Sequence, residues 1–500
     1  MRRVPLLSGS RVVLVPAGDD DVLIRPPPPS EQIVDIVGAV RDALRFPLSG
    51  APLDALVQPG TRATVVVQPR ALPLPGAQLD PRPMALATAM EELERCGVPD
   101  ERQTILVAGG LGRRASLHEL ERLLPPPRAR SFRGRVVVHD AEDPRLVPIG
   151  DWHGATVCVN PAVVESEVAV VVGAAETVLH GGPGTLLSAC DAATIRRVAG
   201  VDSLLEAAGA PEWRLALRIE KAIAERVALV GVSLVLDLPR LTGAFRGYPD
   251  TAESVDRVAS SPFRKTFSRL PKTVRRGLLT RQNRRLTATA AFAGLPSVAH
   301  VEALLHGIAL RGTRLDEPVD ALVVGVPWIG PHVPREPLNP LTAAAVALGL
   351  APRLRRDAFP VRPGGTLVLL HSFTRSFGHG EQAPYAAAFH ALRTALASPD
   401  ELAEAERRAA ADERAVAQYR TGKACHPLLP FADWAGCAPA LSRLGSVVVA
   451  GCRDALAART LGFVPTRGIG SALEMAHGVS GGRARVGILL APPYPPLLVG

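Results

Sequence analysis

Thr104-Ile105-Leu106-Val107-Ala108, Gly110-Leu111-Gly112-Arg113, Val136-Val137-Val138-His139-Asp140, Val168 to Gly173 and Gly181-Gly182-Pro183-Gly184 are successive parts of one run. It opens at Gly97-Val98-Pro99, passes through Ile149-Gly150, Val157 to Pro161 and Glu176, and closes at Thr194-Ile195. Short apolar, β-branched stretches at 104–108, 135–139 and 168–173 alternate with helical segments at 116–124 and 186–198. That alternation predicts a largely parallel sheet covered on both faces. A strand at 62–68 and a helix at 83–96 begin the same unit; in the helix, Met84, Leu86, Ala87, Met90 and Leu93 fall close to a 3.6-residue repeat. Residues 1–60 add a short strand at 11–15, a turn at Pro26 to Pro29 and a helix at 31–45.

Downstream, 263–285 carries Arg264, Lys265, Arg269, Lys272, Arg275, Arg276, Arg281, Arg284 and Arg285 with few acids. The run reads either as a cradle for phosphate or carboxylate or as a solvated hinge face. A helix at 287–305 follows, which places a junction near 285. A second α/β unit then begins at Ala321-Leu322-Val323-Val324-Gly325-Val326. It continues through Asn339-Pro340-Leu341-Thr342, a strand at 366–370, His371-Ser372-Phe373, a helix at 400–418, strands at 446–450 and 486–490, and a helix at 471–477. The expected fold is α/β in two domains, 1–285 and 286–500. Each has a mostly parallel sheet flanked by helices, with a ligand cleft between them. The last thirty or so residues, 471–500, are expected to return to the first domain.

Bulk properties narrow the function classes. A chain of 500 residues is too long for one ordinary core. It holds no apolar run long enough for a membrane span. Asp19-Asp20-Asp21 follows Arg2-Arg3 where a leader would need an apolar segment. A cytoplasmic protein without a membrane partner is the expectation. The six cysteines are scattered with no Cys-x-x-Cys pair and read as free thiols. The net charge of +9 is almost all arginine, since Lys221, Lys265, Lys272 and Lys423 are the only lysines. Aromatic residues make up 4%, too few for base-stacking platforms, which argues against a nucleic-acid partner.

The framework between Gly97 and Ile195 resembles the N-terminal domain of the nickel-pincer lactate racemase family. The second half is similar to an uncharacterised branch of that family through Pro331-His332-Val333-Pro334, Asn339-Pro340-Leu341, Pro363-Gly364-Gly365, the stretch from His371 to His379, Tyr419-Arg420-Thr421-Gly422 and Cys425-His426-Pro427-Leu428-Leu429-Pro430-Phe431. The resemblance implies a nickel ion in a pyridinium-derived pincer nucleotide that accepts hydride from a 2-hydroxy acid, while histidines move the hydroxyl proton. Four positions depart from it. Gln68-Pro69-Arg70 stands where the family has an acid-x-Thr-Arg turn. Gly112 occupies the place of one proton-transfer histidine, with Arg113 where the arginine belongs. His180 is displaced by two positions, and Gly184 falls where the pincer-bearing lysine belongs. Arg196 and Arg197 follow Ile195 where a nickel-ligating histidine is expected.

Two functions therefore stand side by side. One is a racemase- or epimerase-type protein binding a small 2-hydroxy acid or related anion in the interdomain cleft. The other is a non-catalytic binding or regulatory protein that retains the fold. The candidate catalytic residue is His180, next to a glycine-rich loop suited to ligand approach. Arg70, Arg113, Arg114, Gly181, Gly182 and Gly184 are the candidates for holding a carboxylate or phosphate, because a guanidinium meets two anion oxygens at once. His332, Asn339, His371, His379 and His426, at predicted strand or loop ends, are the second-domain candidates. His139-Asp140 reads as framework, and no residue is assigned to a metal.

Overall fold

Ala63–Val67, a fully buried Ala-Thr-Val-Val-Val run, lies near the middle of the first sheet. With no polar face, it suits a strand covered on both sides. In this computed structural model, the described residues are all except 1, 31, 34, 71, 73–76, 240–244, 282–283, 330–337, 378, 396–397, 480 and 482–483. The first sheet runs in the order Ala288–Gly294, Ala228–Leu236, Val168–Ala174, Ala63–Val67, Gln103–Val107 and Arg135–Val138. All neighbours are parallel except the edge strand Ala288–Gly294, which is antiparallel to Ala228–Leu236.

The period-two alternation of strand side chains divides the cover. Val65 and Val67 join a core with Val40 and Leu44 of helix Ile36–Arg45 and with Met90 and Leu93 of helix Arg82–Arg95. Val66, Leu106 and Val171 face the opposite core, with Leu186, Leu215 and Ile219. The expected parallel sheet with helices on both faces is present.

The second sheet is parallel throughout, in the order Val464–Thr466, Ser446–Ala450, Val361–Leu370, Val319–Gly325, Val486–Leu489 and Val22–Ile24. A small sheet places Leu497–Val499 between Thr313–Leu315 and Arg355–Asp357. The hairpin formed by Arg2–Ser8 and Arg11–Ala17 packs on one face of the second sheet, where Val4, Leu6 and Val15 meet Val323, Val368 and Ile488.

Strand pairing cuts across the expected division at residue 285. Val22–Ile24 completes the second sheet, while Ala288–Gly294 still belongs to the first. The final residues pair within the second sheet and the small sheet rather than returning to the first. The expected helix at 287–305 is also corrected. Its alanine-rich first part is the edge strand, and the helix is Pro296–Arg311. Pairing with Ala228–Leu236 outweighs the helix propensity of those alanines. One buried cluster contains Ala175, Val178 and Val235 of the first unit together with Leu322, Val324 and Leu369 of the second sheet. Among the described residues no helix is long and apolar enough to cross a membrane.

Candidate functional site

The parallel strands of the first sheet direct their C-terminal ends to one side, the usual place for ligand contacts in open α/β sheets. From Ala63–Val67 the chain enters at Gln68. Its Oε1 accepts hydrogen bonds from Gly181 N (3.1 Å) and Thr185 Oγ1 (3.2 Å), and its Nε2 donates to Ser188 Oγ (2.7 Å). Gly110 N donates to Ser188 O at 3.2 Å. The 110–114 and 176–184 loops therefore lie on the same side of the sheet.

The charged centre is Asp80, Arg82, Glu176 and His180, with Arg70 at its rim. Arg70 Nε lies 2.7 Å from Asp80 Oδ2. Arg82 donates from Nε to both Asp80 oxygens (3.1 and 3.0 Å) and from Nη1 to Glu176 Oε2 (3.0 Å). His180 Nε2 lies 3.6 Å from the same Glu176 oxygen. Burial opposes each charge, but the Arg82 and Arg70 cations hold Asp80 below its ordinary pKa. Glu176 and Asp80 likewise hold Arg82 above its own. Burial pushes His180 down to about 4; Glu176 opposes that shift and Arg82 adds to it. The imidazole is neutral at ordinary pH. Two buried atoms, Arg82 Nη2 and His180 Nε2, have no hydrogen-bond partner among the described residues.

Sequence reasoning missed Asp80 and Arg82. An acid and an arginine were sought directly after strand 62–68, whereas they arrive later in the chain, at the start of helix Arg82–Arg95. The Asp80-Pro81-Arg82-Pro83 run was the available signal, with proline in the first helical turn.

The glycine loop is packed as well as turned. Gly181 and Gly182 have φ of +103° and +49°, the left-handed region that favours glycine. A Cβ on Gly182 would lie 2.4 Å from His300 Cβ. A Cβ on Gly184 would lie 2.1 Å from Leu179 O, so this helical position has no room for a side chain.

The other arginine candidates are engaged elsewhere. Arg113 Nη2 donates to both Glu119 oxygens at 2.7 Å, and its Nε lies 3.7 Å from Glu381. Arg114 donates to Val138 O (3.0 Å) and to Arg420 O. They tie the 110–114 turn to its surroundings, apart from the Asp80–Arg82–Glu176 group.

The second-sheet candidates are dispersed. Asn339 is buried and caps helix Pro340–Ala344, its Oδ1 accepting from Thr342 N at 2.9 Å. His371 is buried, accepts from Phe373 N at 3.2 Å, and is held down to about 4 by burial. His379 accepts from Glu381 N at 3.4 Å and so shares Glu381 with Arg113. His426 Nε2 lies 2.9 Å from Glu142 Oε1, while its Nδ1 accepts from Leu428 N at 3.1 Å. The Nδ1 acceptor role leaves the ring hydrogen on Nε2, directed at Glu142. His332 lies outside the described residues. His139 is buried between Cys190 O (2.8 Å) and Asn160 Nδ2 (3.2 Å), as befits framework.

A mostly parallel sheet flanked by helices, with a charged cluster and a glycine-rich turn beside its strand ends, places the chain in the α/β class. Residues 10–182 match the family model described as the lactate racemase N-terminal domain. The lactate racemase apoprotein of Thermoanaerobacterium thermosaccharolyticum has a similar fold. It has a TM-score of 0.61 at 15% identity, over 99% of this chain and 100% of that one. A Thermotoga maritima protein aligns at a TM-score of 0.48 and 12% identity, over 86% of this chain and 91% of its own. No curated protein matches the chain.

The pincer nucleotide that the family resemblance implies does not fit these residues. The resemblance puts its attachment position at Gly184, where Leu179 O fills the space of a side chain. Among the described residues, no group of three or more His, Cys, Asp and Glu side chains is arranged to hold a metal ion.

Proposed function

We propose that the protein binds a small 2-hydroxy acid or related carboxylate at Arg82 and His180, without a pincer nucleotide attached at residue 184. The observation that carries this reading is the pair of buried polar atoms, Arg82 Nη2 and His180 Nε2, that have no hydrogen-bond partner among the described residues and lie beside one carboxylate, Glu176. A buried polar atom without a hydrogen bond costs roughly 1–3 kcal/mol. A ligand oxygen recovers that energy. In this reading the Arg82 guanidinium meets the carboxylate, and the neutral His180 imidazole meets the adjacent hydroxyl. That placement suits a group that accepts the hydroxyl proton. The ligand lies in a cleft between the two units. Arg70 contributes by holding Asp80, and Arg113 and Arg114 are left to the structural joint.

Calorimetry with L- and D-lactate on the whole chain tests the reading. Arg82→Met and His180→Ala are each expected to weaken binding at least tenfold. Lactate affinity unchanged in both variants would place the ligand elsewhere. A second reading, a non-catalytic protein that keeps the fold, is favoured by the packed Gly184. It predicts lactate binding with no exchange of the Cα hydrogen in deuterated water. Slow exchange that disappears in His180→Ala would support a racemase- or epimerase-type activity instead.

A further inference from the structure

The turn from Glu176 to Gly182 packs against a second histidine besides carrying His180. His300 is fully buried in helix Pro296–Arg311, its ring stacked on Trp213 with centroids 6.2 Å apart. Its Nε2 lies 3.0 Å from the carbonyl oxygen of Thr177, the residue after Glu176. A carbonyl oxygen only accepts, so the ring hydrogen is on Nε2 and Nδ1 carries a lone pair. That Nδ1 is buried and has no hydrogen-bond partner among the described residues. It lies against Gly181, the residue after His180: a Cβ on Gly181 would come 2.8 Å from it, so any other residue there would press on this edge of the ring. Burial pushes the ring down to about 4; the bond to Thr177 opposes that shift and neighbouring His180 adds to it. His300 is therefore a neutral acceptor at ordinary pH.

Three buried atoms around one turn are thus unmatched among the described residues, and they differ in kind. Arg82 Nη2 can only donate, whereas His300 Nδ1 can only accept. Lactate answers Arg82 with its carboxylate and His180 with its hydroxyl, but its methyl group offers His300 nothing. Resting on the Arg82–His180 reading, we propose that the ligand is a 2,3-dihydroxy acid whose second hydroxyl donates to His300 Nδ1. A site built to bind a hydroxyl discriminates against the analogue that lacks it, because a buried group is then left unpaired. One lone pair suits one hydroxyl hydrogen, whereas an ammonium in the same place would also bring a charge out of water.

Calorimetry on the whole chain with both enantiomers of lactate, glycerate and isoserine tests this. These place a methyl, a hydroxymethyl and an aminomethyl group on the same 2-hydroxy acid. Glycerate is expected to bind about fivefold or more tighter than lactate. His300→Gln keeps a donor for Thr177 O but removes the Nδ1 lone pair, and should bring glycerate to the affinity of lactate in the same variant. His300→Asn keeps an acceptor at the Nδ1 position and should retain part of the preference. Glycerate no tighter than lactate, isoserine tighter than glycerate, or a preference untouched by His300→Gln would overturn the proposal. Arg82→Met separates the two ideas. If lactate ignores it while the glycerate preference still depends on His300, the Arg82 reading fails and this one stands. If it weakens lactate tenfold and the unaltered chain shows no glycerate preference, this one fails and the Arg82 reading stands. If none of these acids binds, both fail.

Discussion

Two regions at the same end of the first sheet are built on opposite principles. At the joint with the second sheet, the Tyr419 hydroxyl and the His426 ring are matched, and Arg114 Nε is the buried atom without a partner there among the described residues. Tyr419 OH donates to Gly110 O and accepts from Ala141 N, both at 3.1 Å. Arg420 Nε reaches Asp140 at 3.0 Å, and His426 spans Glu142, Leu428 N and Leu111 O. Leu111, Ala141, Ala192, Tyr419 and Leu428 close over these bonds as a small apolar cluster. At the Arg82–His180 centre, two buried polar atoms, Arg82 Nη2 and His180 Nε2, are unmatched among the described residues. The first region is spent on holding the fold, and the second retains unused hydrogen-bonding capacity. That difference separates His426, matched at both ring nitrogens, from the candidate His180; His300 Nδ1 and His371 Nε2 are also unmatched among the described residues, and what sets His180 apart is the Glu176–Arg82 pair beside it.

The largest expected effect concerns pH and tests whether burial alone distinguishes these histidines. His139, His180, His300 and His371 are all held down to about 4, burial being the main cause. Their unfolded value is near 6.5. A histidine depressed in the folded state takes up its proton only on unfolding between those two values. The stability involved is fully present above pH 6.5 and is lost as pH falls toward 4, at up to about 1.4 kcal/mol per pH unit for each ring. Urea unfolding measured from pH 7.5 to 4.5 should show this steep loss. A flat profile would mean that these rings are more accessible than the structure indicates.

Next in size is the joint itself. Tyr419 is fully buried, and Tyr419→Ala is expected to cost about 3–5 kcal/mol, as for other large aromatic truncations. Tyr419→Phe removes only the hydroxyl and leaves Ala141 N–H and Gly110 O without it, at about 1–3 kcal/mol. Denaturant midpoints read both. If Tyr419→Phe is neutral, the matched bonds of this region contribute less than the comparison requires.

Gly184→Ala comes third, on the other side of the comparison. A methyl group there meets a backbone carbonyl rather than a flexible side chain, and overpacking of this kind costs about 1–3 kcal/mol. Intact-mass measurement after co-expression with pincer-synthesis enzymes is expected to show the unmodified chain. An added mass localised to any lysine would refute the argument from Gly184.

Much of this arrangement was legible in sequence, and the parts that were not have physical reasons. Strands such as Ala63–Val67 and Val168–Ala174 are continuous apolar runs, so their place in a parallel sheet followed directly. Ala288–Gly294 did not follow, because alanine favours a helix and only its neighbour Ala228–Leu236 makes it a strand. Val22–Ile24 is three residues long, and nothing local says which sheet it joins. His180 stood out as a candidate from its glycine loop. Arg82 was not, because its pairing with Glu176 spans 94 residues of sequence and depends on the tertiary fold. Arg113 and Arg114 looked available for an anion because Glu119, Glu381 and the Arg420 carbonyl could not be placed against them from sequence.

The smallest expected stability change is the most discriminating. His180 Nε2 has no hydrogen bond to lose among the described residues, and its burial holds the ring neutral. His180→Ala gives up packing contacts but also removes a buried unmatched polar atom, and these terms oppose each other. The net change in unfolding free energy at pH 7.5 is expected to stay within about 1 kcal/mol. His426→Ala removes its bonds to Glu142 and Leu428 N and is expected to cost about 2–4 kcal/mol. Unfolding curves should separate the two variants by that margin, while lactate calorimetry ranks them in the reverse order, with His180→Ala losing binding and His426→Ala keeping it. Equal losses of stability would make His180 another structural histidine, and the unmatched atoms beside Glu176 would then need a different ligand to account for them.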